Sequence, residues 1–434
     1  MTQDAAGPDG SGRLEALLRD LTALYPGAEA RLSPAPSDPE GDAVRQFRVV
    51  LSSSRPRAAV PVDAPGAVRA FLRRDSAGDR RAHSAARRVV SAIAAGPLAR
   101  VVFPATITVS PTGASSIEAY LAEVTGGPVR ISLATGSERA NAKPVLGVAT
   151  VAGEELGFCK VGLTPLARRL VKHEAEVLAR LAGHLRRVVV PTVLHSGRWR
   201  GNEVLFLSAV RGNRGRGAIL PVEAMREVAA TDGTGQRHLV SSPWVAALRQ
   251  RASAAPPELA RTILTLLARL LERAERSGLR EVLHGASHGD WGPWNMAWDG
   301  GRVVVWDWER YGGGLPVGLD AVHFLAHEEL SVEGDLAGAL ALLDGTAEPA
   351  VRTVLSGWPG TDHDRATAAH FVVDAYLLEV ACRFAADTVL VPAARVSRAA
   401  HWYLQVAGAR LGSVVDRQPA VATPRHAGPD GSGR

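Results

Sequence analysis

The segment 288–309 concentrates the residue types that chemistry needs, three aspartates and an asparagine among them. An Asp-Gly-Gly turn at 299–301 separates two apolar stretches within it, a pattern that predicts a β-hairpin. Asn295 stands where the first strand begins and Asp307 stands just after the second. Because the two ends of a hairpin meet, we expect the Asn295 amide and the Asp307 carboxylate side by side.

Amide and carboxylate oxygens are hard ligands that suit Mg²⁺. Asn295 and Asp307 are therefore the candidate metal ligands. Asp290 lies in the loop just before the hairpin, near enough to orient a hydroxyl, and is the candidate catalytic residue. Five of the nine tryptophans lie between Trp291 and Trp308, where some must form core and others can line a pocket.

The elements that position this segment divide the chain. Five strands are predicted ahead of it, with one helix after the third strand, from Pro165 to about Leu181. The five predicted strands are 129–134, 145–151, 156–161, 188–195 and 203–208. From residue 211 on the chain is mainly helical, as the apolar periodicity of 257–277 illustrates.

Four regions follow from this pattern. Residues 1–112 are predicted to form an α+β extension without residues that suggest chemistry, and residues 113–210 are predicted to form the five-stranded unit. The helical unit with the hairpin is predicted over 211–416, and a disordered tail over 417–434. Within the extension, 99–109 is predicted as one strand. A partner-binding role for the extension stays open.

Composition excludes several classes of protein. Two cysteines in 434 residues exclude a disulfide scaffold or a cysteine-rich zinc site. No apolar run approaches a membrane span, and no signal peptide is recognised, so a cytoplasmic protein is expected. The net charge is +6, but the arginines are spread along the chain, so we expect neither nucleic acid nor membrane as a partner.

The pattern His288-Gly-Asp290, Asn295, a hairpin and Asp307-Trp-Glu309 resembles the active site of the aminoglycoside phosphotransferase and choline kinase family, small-molecule relatives of protein kinases. The resemblance implies a two-lobed, protein-kinase-like α+β fold, with a five-stranded antiparallel first lobe and a mainly helical second lobe. It also implies that Asp320 is a structural residue that clamps the catalytic loop, and that His288 braces the loop.

The resemblance further implies a lysine on the third strand and a glutamate on the following helix. Lys160 lies on that strand and is one of only three lysines among 50 basic residues. Glu174 shares a helix face with leucines, where an unpaired carboxylate is costly. We therefore expect Lys160 and Glu174 to pair and to serve nucleotide binding. Lys143 and Lys172 are expected in solvent.

Two further nucleotide contacts are implied. Gly136 and Ser137 lie in the loop that would cover the phosphates, although that loop has one glycine and matches no phosphate-loop motif. The segment between the lobes would bind the base through backbone groups near Ser208 and Val210. Mg²⁺ and ATP are the implied cofactors, and GTP stays open because side chains there say little about the base.

The expected function is a Mg²⁺- and ATP-dependent transfer of the γ-phosphate to a hydroxyl of a small molecule. An aminoglycoside, amino sugar, sugar or amino alcohol stays open as acceptor, with three acidic candidates for a cationic one: 327–329, Asp374 and Glu379. A protein kinase and a non-catalytic nucleotide- or partner-binding module are the alternatives. His-Gly-Asp instead of His-Arg-Asp weighs against the former, and the filled site positions weigh against the latter. The oligomeric state stays open.

Overall fold

The structure is a computed structural model that describes residues 8–33, 44–52, 55–72, 81–110, 115–134, 143–210, 212, 219–330, 334–390 and 394–412. Gly136, Ser137 and the predicted tail 417–434 lie outside these residues. None of the helices in the described ranges is long and apolar enough to cross a membrane.

The first half of the chain alternates strands with short helices. Its elements are α1 (Pro8–Leu24), β1 (Glu29–Ser33), β2 (Arg45–Ser52), β3 (Arg55–Pro61), α2 (Pro65–Leu72), α3 (Arg81–Ala94), α4 (Ala99–Val102), β4 (Thr106–Ser110), α5 (Ile117–Thr125), β5 (Val129–Ala134), β6 (Val145–Thr150), β7 (Glu155–Gly162), α6 (Pro165–Leu181), β8 (Val188–Val189), β9 (Val193–Trp199) and β10 (Asn202–Leu207). The single strand predicted at 99–109 is wrong, because Pro104 separates a helical turn from β4.

All strands of this half except β8 form one antiparallel sheet. Its order is β1-β4-β2-β3-β5-β6-β7-β10-β9. Four of the five predicted strands of the first lobe are present in it as β5, β6, β7 and β10, and β9 is the fifth strand of this part, but a sheet of five strands is too small a description. Strand β3 of the extension pairs with β5, with Ala58 opposite Ala134 and Ala59 opposite Leu133, so the sheet continues across residue 112.

A buried ion pair joins the extension to the rest of the sheet. Arg45 on β2 donates from Nε to Glu118 on α5 over 2.8 Å, and Glu118 also accepts from the Ile131 N–H on β5. Burial raises the pKa of Glu118, although the Arg45 guanidinium opposes that rise. Leu17 and Leu21 of α1 belong to the same buried apolar cluster as β5 and β6, so the two regions share one core.

The other face of the sheet receives a side chain from α2. A β-carbon built at Gly147 on β6 would lie 2.3 Å from Cδ2 of Phe71. The Phe71 ring stacks on Phe158 of β7, with ring centres 6.5 Å apart. The missing side chain at Gly147 therefore makes the slot in which Phe71 lies.

Helix α6 forms where it was predicted. The Thr164 side chain accepts from the Ala167 N–H, and Pro165 occupies the first turn, so the cap and the start of the helix follow from these residues. Its buried face contains Val171, Leu178 and the carboxylate of Glu174. The helix thus carries one acidic side chain into the interior.

The second half is mainly helical, as predicted, with short strands around the hairpin. Its elements are α7 (Val222–Ala229), β11 (Gly235–His238), α8 (Pro243–Ser253), α9 (Pro257–Arg276), β12 (Glu281–Ser287), β13 (Met296–Asp299), β14 (Arg302–Val305), β15 (Gly312–Pro316), α10 (Leu319–Leu330), α11 (Leu336–Leu342), α12 (Glu348–Leu355), α13 (Asp362–Leu390) and α14 (Ala394–Arg410). The α+β architecture in two lobes is confirmed.

The hairpin connects the two halves. Strands β13 and β14 pair antiparallel around Gly300 and Gly301, which both have positive φ, as a tight turn of this type requires. Strand β8 pairs parallel with β14, with Val188 opposite Val303. The strand predicted at 188–195 is therefore wrong, because Pro191 separates β8 from β9.

Candidate active site

The loop after β12 is held by one carboxylate. Asp320, in the first turn of α10, accepts through Oδ1 from the Ser287 hydroxyl at 2.8 Å and from the Gly289 N–H at 2.9 Å. Its Oδ2 accepts from the His288 N–H at 2.8 Å. Three bonds from one side chain fix the backbone that leads into Asp290, which is the clamp expected of Asp320.

His288 is enclosed by aromatic rings. It packs against Trp291 and Trp308, with ring centres 5.7 and 4.7 Å away. Its Nε2 lies 3.2 Å from the Trp306 carbonyl oxygen, and its Nδ1 accepts from the Asp290 N–H. Burial lowers the pKa of His288, so the ring is neutral near pH 7. A neutral, enclosed imidazole suits bracing of the loop.

Asp290 is oriented by two neighbours. The Asn295 amide donates to its carbonyl oxygen at 2.9 Å and to Oδ2 at 3.1 Å. His323 Nε2 lies 3.1 Å from Oδ1. Burial would raise the pKa of Asp290, but the adjacent His323 and the charge of Arg383 hold that pKa well below its usual range. Asp290 is therefore a fixed, ionised acceptor of hydrogen bonds.

Lys160 connects three parts of the chain. Its Nζ lies 2.6 Å from both carboxylate oxygens of Glu174 on α6 and 2.8 Å from Oδ1 of Asp307. Glu174 is fully buried and also accepts from the Trp308 N–H. Burial opposes the charge on Lys160, but the surrounding carboxylates raise its pKa above the usual value. Burial raises the pKa of Glu174.

Asp307 has an unusual backbone. Its φ is 69° and its ψ 56°, the left-handed region that non-glycine residues rarely occupy. Burial would raise the pKa of Asp307, but the charges of Lys160 and Lys143 lower it to about 2. The strained backbone and the depressed pKa together present an ionised carboxylate to the site.

Glu309 and Lys143 complete the cluster. The sequence analysis included Glu309 in the motif without a site role and missed Lys143. The Lys143 ammonium pairs with the Glu309 carboxylate, and both side chains are buried. The expectation of a solvated Lys143 is therefore wrong. The rarity of lysine, which singled out Lys160, could have found Lys143 as well. Lys172, by contrast, is exposed as predicted and pairs loosely with Glu176.

The donor set fits a divalent cation. Glu174, Asp307 and Glu309 can each place one carboxylate oxygen within 4.8 Å of the others. Three carboxylates face two ammonium groups, so one negative charge is in excess. The Asn295 Oδ1 accepts no hydrogen bond from the described residues, and the Trp306 N–H donates to the Asn295 carbonyl at 3.1 Å. The hairpin thus brings the backbone of Asn295 beside the backbone that leads into Asp307.

The segment between the lobes keeps two backbone groups free. The Ser208 N–H donates to the Thr192 carbonyl, and the Ser208 hydroxyl accepts from the Thr192 N–H. Within the described part of the chain, the Ser208 carbonyl and the Val210 N–H have no hydrogen-bond partner. Because Leu207 lies opposite Phe158 on β7, these free groups begin next to the strand that carries Lys160.

The acidic candidates for a cationic acceptor do not form a common site. Asp374 is fully buried and pairs with Arg410 and Arg273, so its proposed role in acceptor binding is wrong. Glu379 accepts from Arg251 Nη2 at 2.7 Å and from the Trp244 indole N–H. The Arg251 guanidinium neutralises the charge of the Glu379 carboxylate. Within 327–329, both glutamates are exposed, whereas the histidine stacks on His323.

No protein family's sequence profile matches this chain, and no curated protein matches it. Among solved structures, it is similar to a thermostable mutant of an aminoglycoside phosphotransferase, with 17% identity over 68% of this chain and 98% of that one and a TM-score of 0.43. It is also similar to choline kinase from Cryptosporidium parvum, with 12% identity over 64% and 88% of the two chains and a TM-score of 0.39. Both are proteins of the kind that the sequence motifs resemble.

Proposed function

We propose that this protein is a small-molecule kinase that transfers the γ-phosphate of ATP, with Mg²⁺, to a hydroxyl group. The observation that carries the proposal is the contact of Lys160 Nζ with Glu174 and Asp307, which links the sheet, α6 and the hairpin at one point. The same hairpin positions Asn295 against Asp290. A phosphate-binding cation, a metal-binding carboxylate and a hydroxyl-orienting carboxylate therefore belong to one connected site.

Each residue has a role that its contacts support. Lys160, whose position is fixed by Glu174, binds the nucleotide phosphates as a point charge. Asp307 and Asn295 hold the metal, and Glu309 lies close enough to add a further carboxylate oxygen. Bound Mg²⁺ supplies positive charge that neutralises the transferred phosphoryl group.

Asp290 acts on the acceptor. Its carboxylate accepts a hydrogen bond from the acceptor hydroxyl and aims the oxygen at the phosphorus atom. Its depressed pKa makes it a weak base, so orientation contributes more than early removal of the proton. The Ser208 carbonyl and the Val210 N–H supply one acceptor and one donor to the base of the nucleotide, and Gly136 and Ser137 are proposed to cover its phosphates.

The test follows labelled γ-phosphate from ATP with Mg²⁺ into hydroxylated small molecules. Asp290→Asn removes the charge at nearly constant shape and is expected to lower kcat by about 10²–10⁴-fold. Asp299→Asn is the matched control, because Asp299 lies in the same hairpin but is half exposed and, among the described residues, pairs with Arg302 alone. It is expected to keep kcat within about twofold.

Two results would contradict the proposal. One is nucleotide binding without transfer to any small molecule, which would favour a binding module. The other is transfer that Asp290→Asn leaves unchanged, which would place the chemistry elsewhere.

A further inference from the structure

A cavity of about 360 Å³ lies beside the catalytic loop. Its walls come from α6, the turn after Asp307, α10 and α13. Gly289 and His323 line the cavity. Gly289 precedes Asp290 in the chain, and the His323 imidazole lies 3.1 Å from the Asp290 carboxylate. A molecule in this cavity lies next to the residue proposed to orient the acceptor hydroxyl.

The cavity wall contains four arginines and four carboxylates. The arginines are Arg169, Arg251, Arg310 and Arg383, and the carboxylates are those of Glu309, Asp320, Glu379 and Asp387. The Glu309 carboxylate pairs with Lys143. Glu379 is neutralised by Arg251, and the Asp320 oxygens bind the loop backbone. Asp387 lies 3.9 Å from Arg310 and is the counter-charge of that guanidinium, too far for a hydrogen bond.

Arg383 and Arg310 both adjoin Gly289. Arg383 Nη1 donates to the Gly289 carbonyl at 3.1 Å, and among the described residues it has no carboxylate partner. The backbone of Arg310 covers Gly289 from the other side. Both side chains line the cavity, but Asp387 faces Arg310, whereas Arg383 lacks such a partner among the described residues. An oxyanion bound at Arg383 would supply the counter-charge that this guanidinium lacks.

We infer that the acceptor carries an anionic group, a carboxylate or a phosphate, which Arg383 and Arg310 bind while Asp290 orients its hydroxyl. The inference rests on the proposed function and specifies its substrate class. Arginine binds planar oxyanions through two parallel hydrogen bonds, which gives direction as well as charge. A polycationic acceptor would meet an unpaired guanidinium instead, and this repulsion discriminates against it.

The inference is tested with four sugars of one skeleton: the neutral parent, its amino derivative, its carboxylate and its phosphate ester. We expect the carboxylate or the phosphate ester to have a kcat/KM at least about tenfold above the parent, and the amino derivative to fall below it. The two anions, compared with each other, identify which group the site takes.

Arg383→Gln separates anion binding from a structural effect. It is expected to raise KM for the preferred anion by roughly 10- to 100-fold and to change KM for the neutral parent by about twofold at most. Arg352→Gln is the control, because Arg352 is exposed on α12 and outside the cavity. Equal effects of Arg383→Gln on anionic and neutral sugars would overturn the inference.

Titration calorimetry with ADP and Mg²⁺ present tests the inference without turnover. Binding of the anionic sugar that Arg383→Gln abolishes supports it, and absence of binding overturns it. Preferred phosphorylation of the amino sugar, dependent on Asp290, would overturn the inference and leave the proposed function intact. Anion binding without any phosphate transfer would leave the inference of an anion site intact and overturn the proposed function.

Discussion

The backbone of Arg310 lies so close to Gly289 that a β-carbon at position 289 would stand 2.4 Å from the Arg310 carbonyl oxygen. Gly289 also has a φ of +78°, which disfavours any other residue. The residue before Asp290 is therefore glycine for a reason of packing. The contact joins the loop that carries Asp290 to the turn that follows Asp307.

Gly289→Ala is expected to destabilise the protein and to lower its activity at least about tenfold, because the loop must move away from Arg310. The free energy of unfolding should fall by about 1–3 kcal/mol for backbone strain and contact together. Gly300→Ala is the control, since Gly300 has a φ of +54° but open space around it. Denaturant unfolding and kinase rates check both. Equal losses in the two variants would show that the Arg310 contact is unimportant.

Lys160→Met should leave two carboxylates without their shared counter-charge. Because Glu174 is fully buried, we expect a loss of about 3–5 kcal/mol in the free energy of unfolding. Adding Glu174→Leu should recover part of that stability but no activity. Lys172→Met is the control: Lys172 lies on the exposed side of α6, the helix that carries Glu174. It should change the free energy of unfolding by less than about 1 kcal/mol. The prediction fails if the double variant is no more stable than Lys160→Met.

The position of His323 predicts a pH effect on rate. Since the pKa of Asp290 is held below its usual range, the kcat/KM of the wild-type protein should show no acid limb due to Asp290 above pH ~5. His323→Gln removes the imidazole 3.1 Å from Oδ1, so the pKa of Asp290 should rise toward its ordinary value and the limb should move to higher pH.

The control for this shift is His327→Gln, because His327 stacks on His323 at 4.3 Å. It should alter packing without moving the acid limb. A limb that stays in place in His323→Gln would mean that other charges set the pKa of Asp290.

Gly147→Ala tests how closely α2 packs on the sheet. The added methyl group would lie 2.3 Å from the Phe71 ring, so we expect a loss of about 1–3 kcal/mol from overpacking. Phe71→Leu combined with Gly147→Ala should restore part of the lost stability. Unfolding curves of the wild-type protein, the two single variants and the double variant give the coupling energy. Gly127→Ala, with open space around it, is the control. Additive effects of the two substitutions would exclude the contact.

Local signals predicted a large part of the candidate site. The Asp-Gly-Gly turn fixed the hairpin, and the apolar face of α6 singled out Glu174 as the residue that needs a cation. These features depend on residues close in sequence, so periodicity and turn chemistry suffice to find them. The roles of Gly136 and Ser137 stay predictions.

The misses depend on contacts between distant segments. Lys143 meets Glu309 across 166 positions, and Asp374 meets Arg273 and Arg410 from other helices. No local pattern contains such pairings. The contact of Asp307 with Lys160 is of the same kind, since Lys160 lies on a distant strand.

The pairing of β3 with β5 bears on how the chain could be shortened. In the intact sheet β5 has neighbours on both sides, β3 and β6. A chain that began at residue 113 would leave one side of β5 with unpaired N–H and C=O groups, and open strands of this kind associate with other chains. We therefore expect residues 1–112 to act as a cover that keeps the kinase-like part from aggregating.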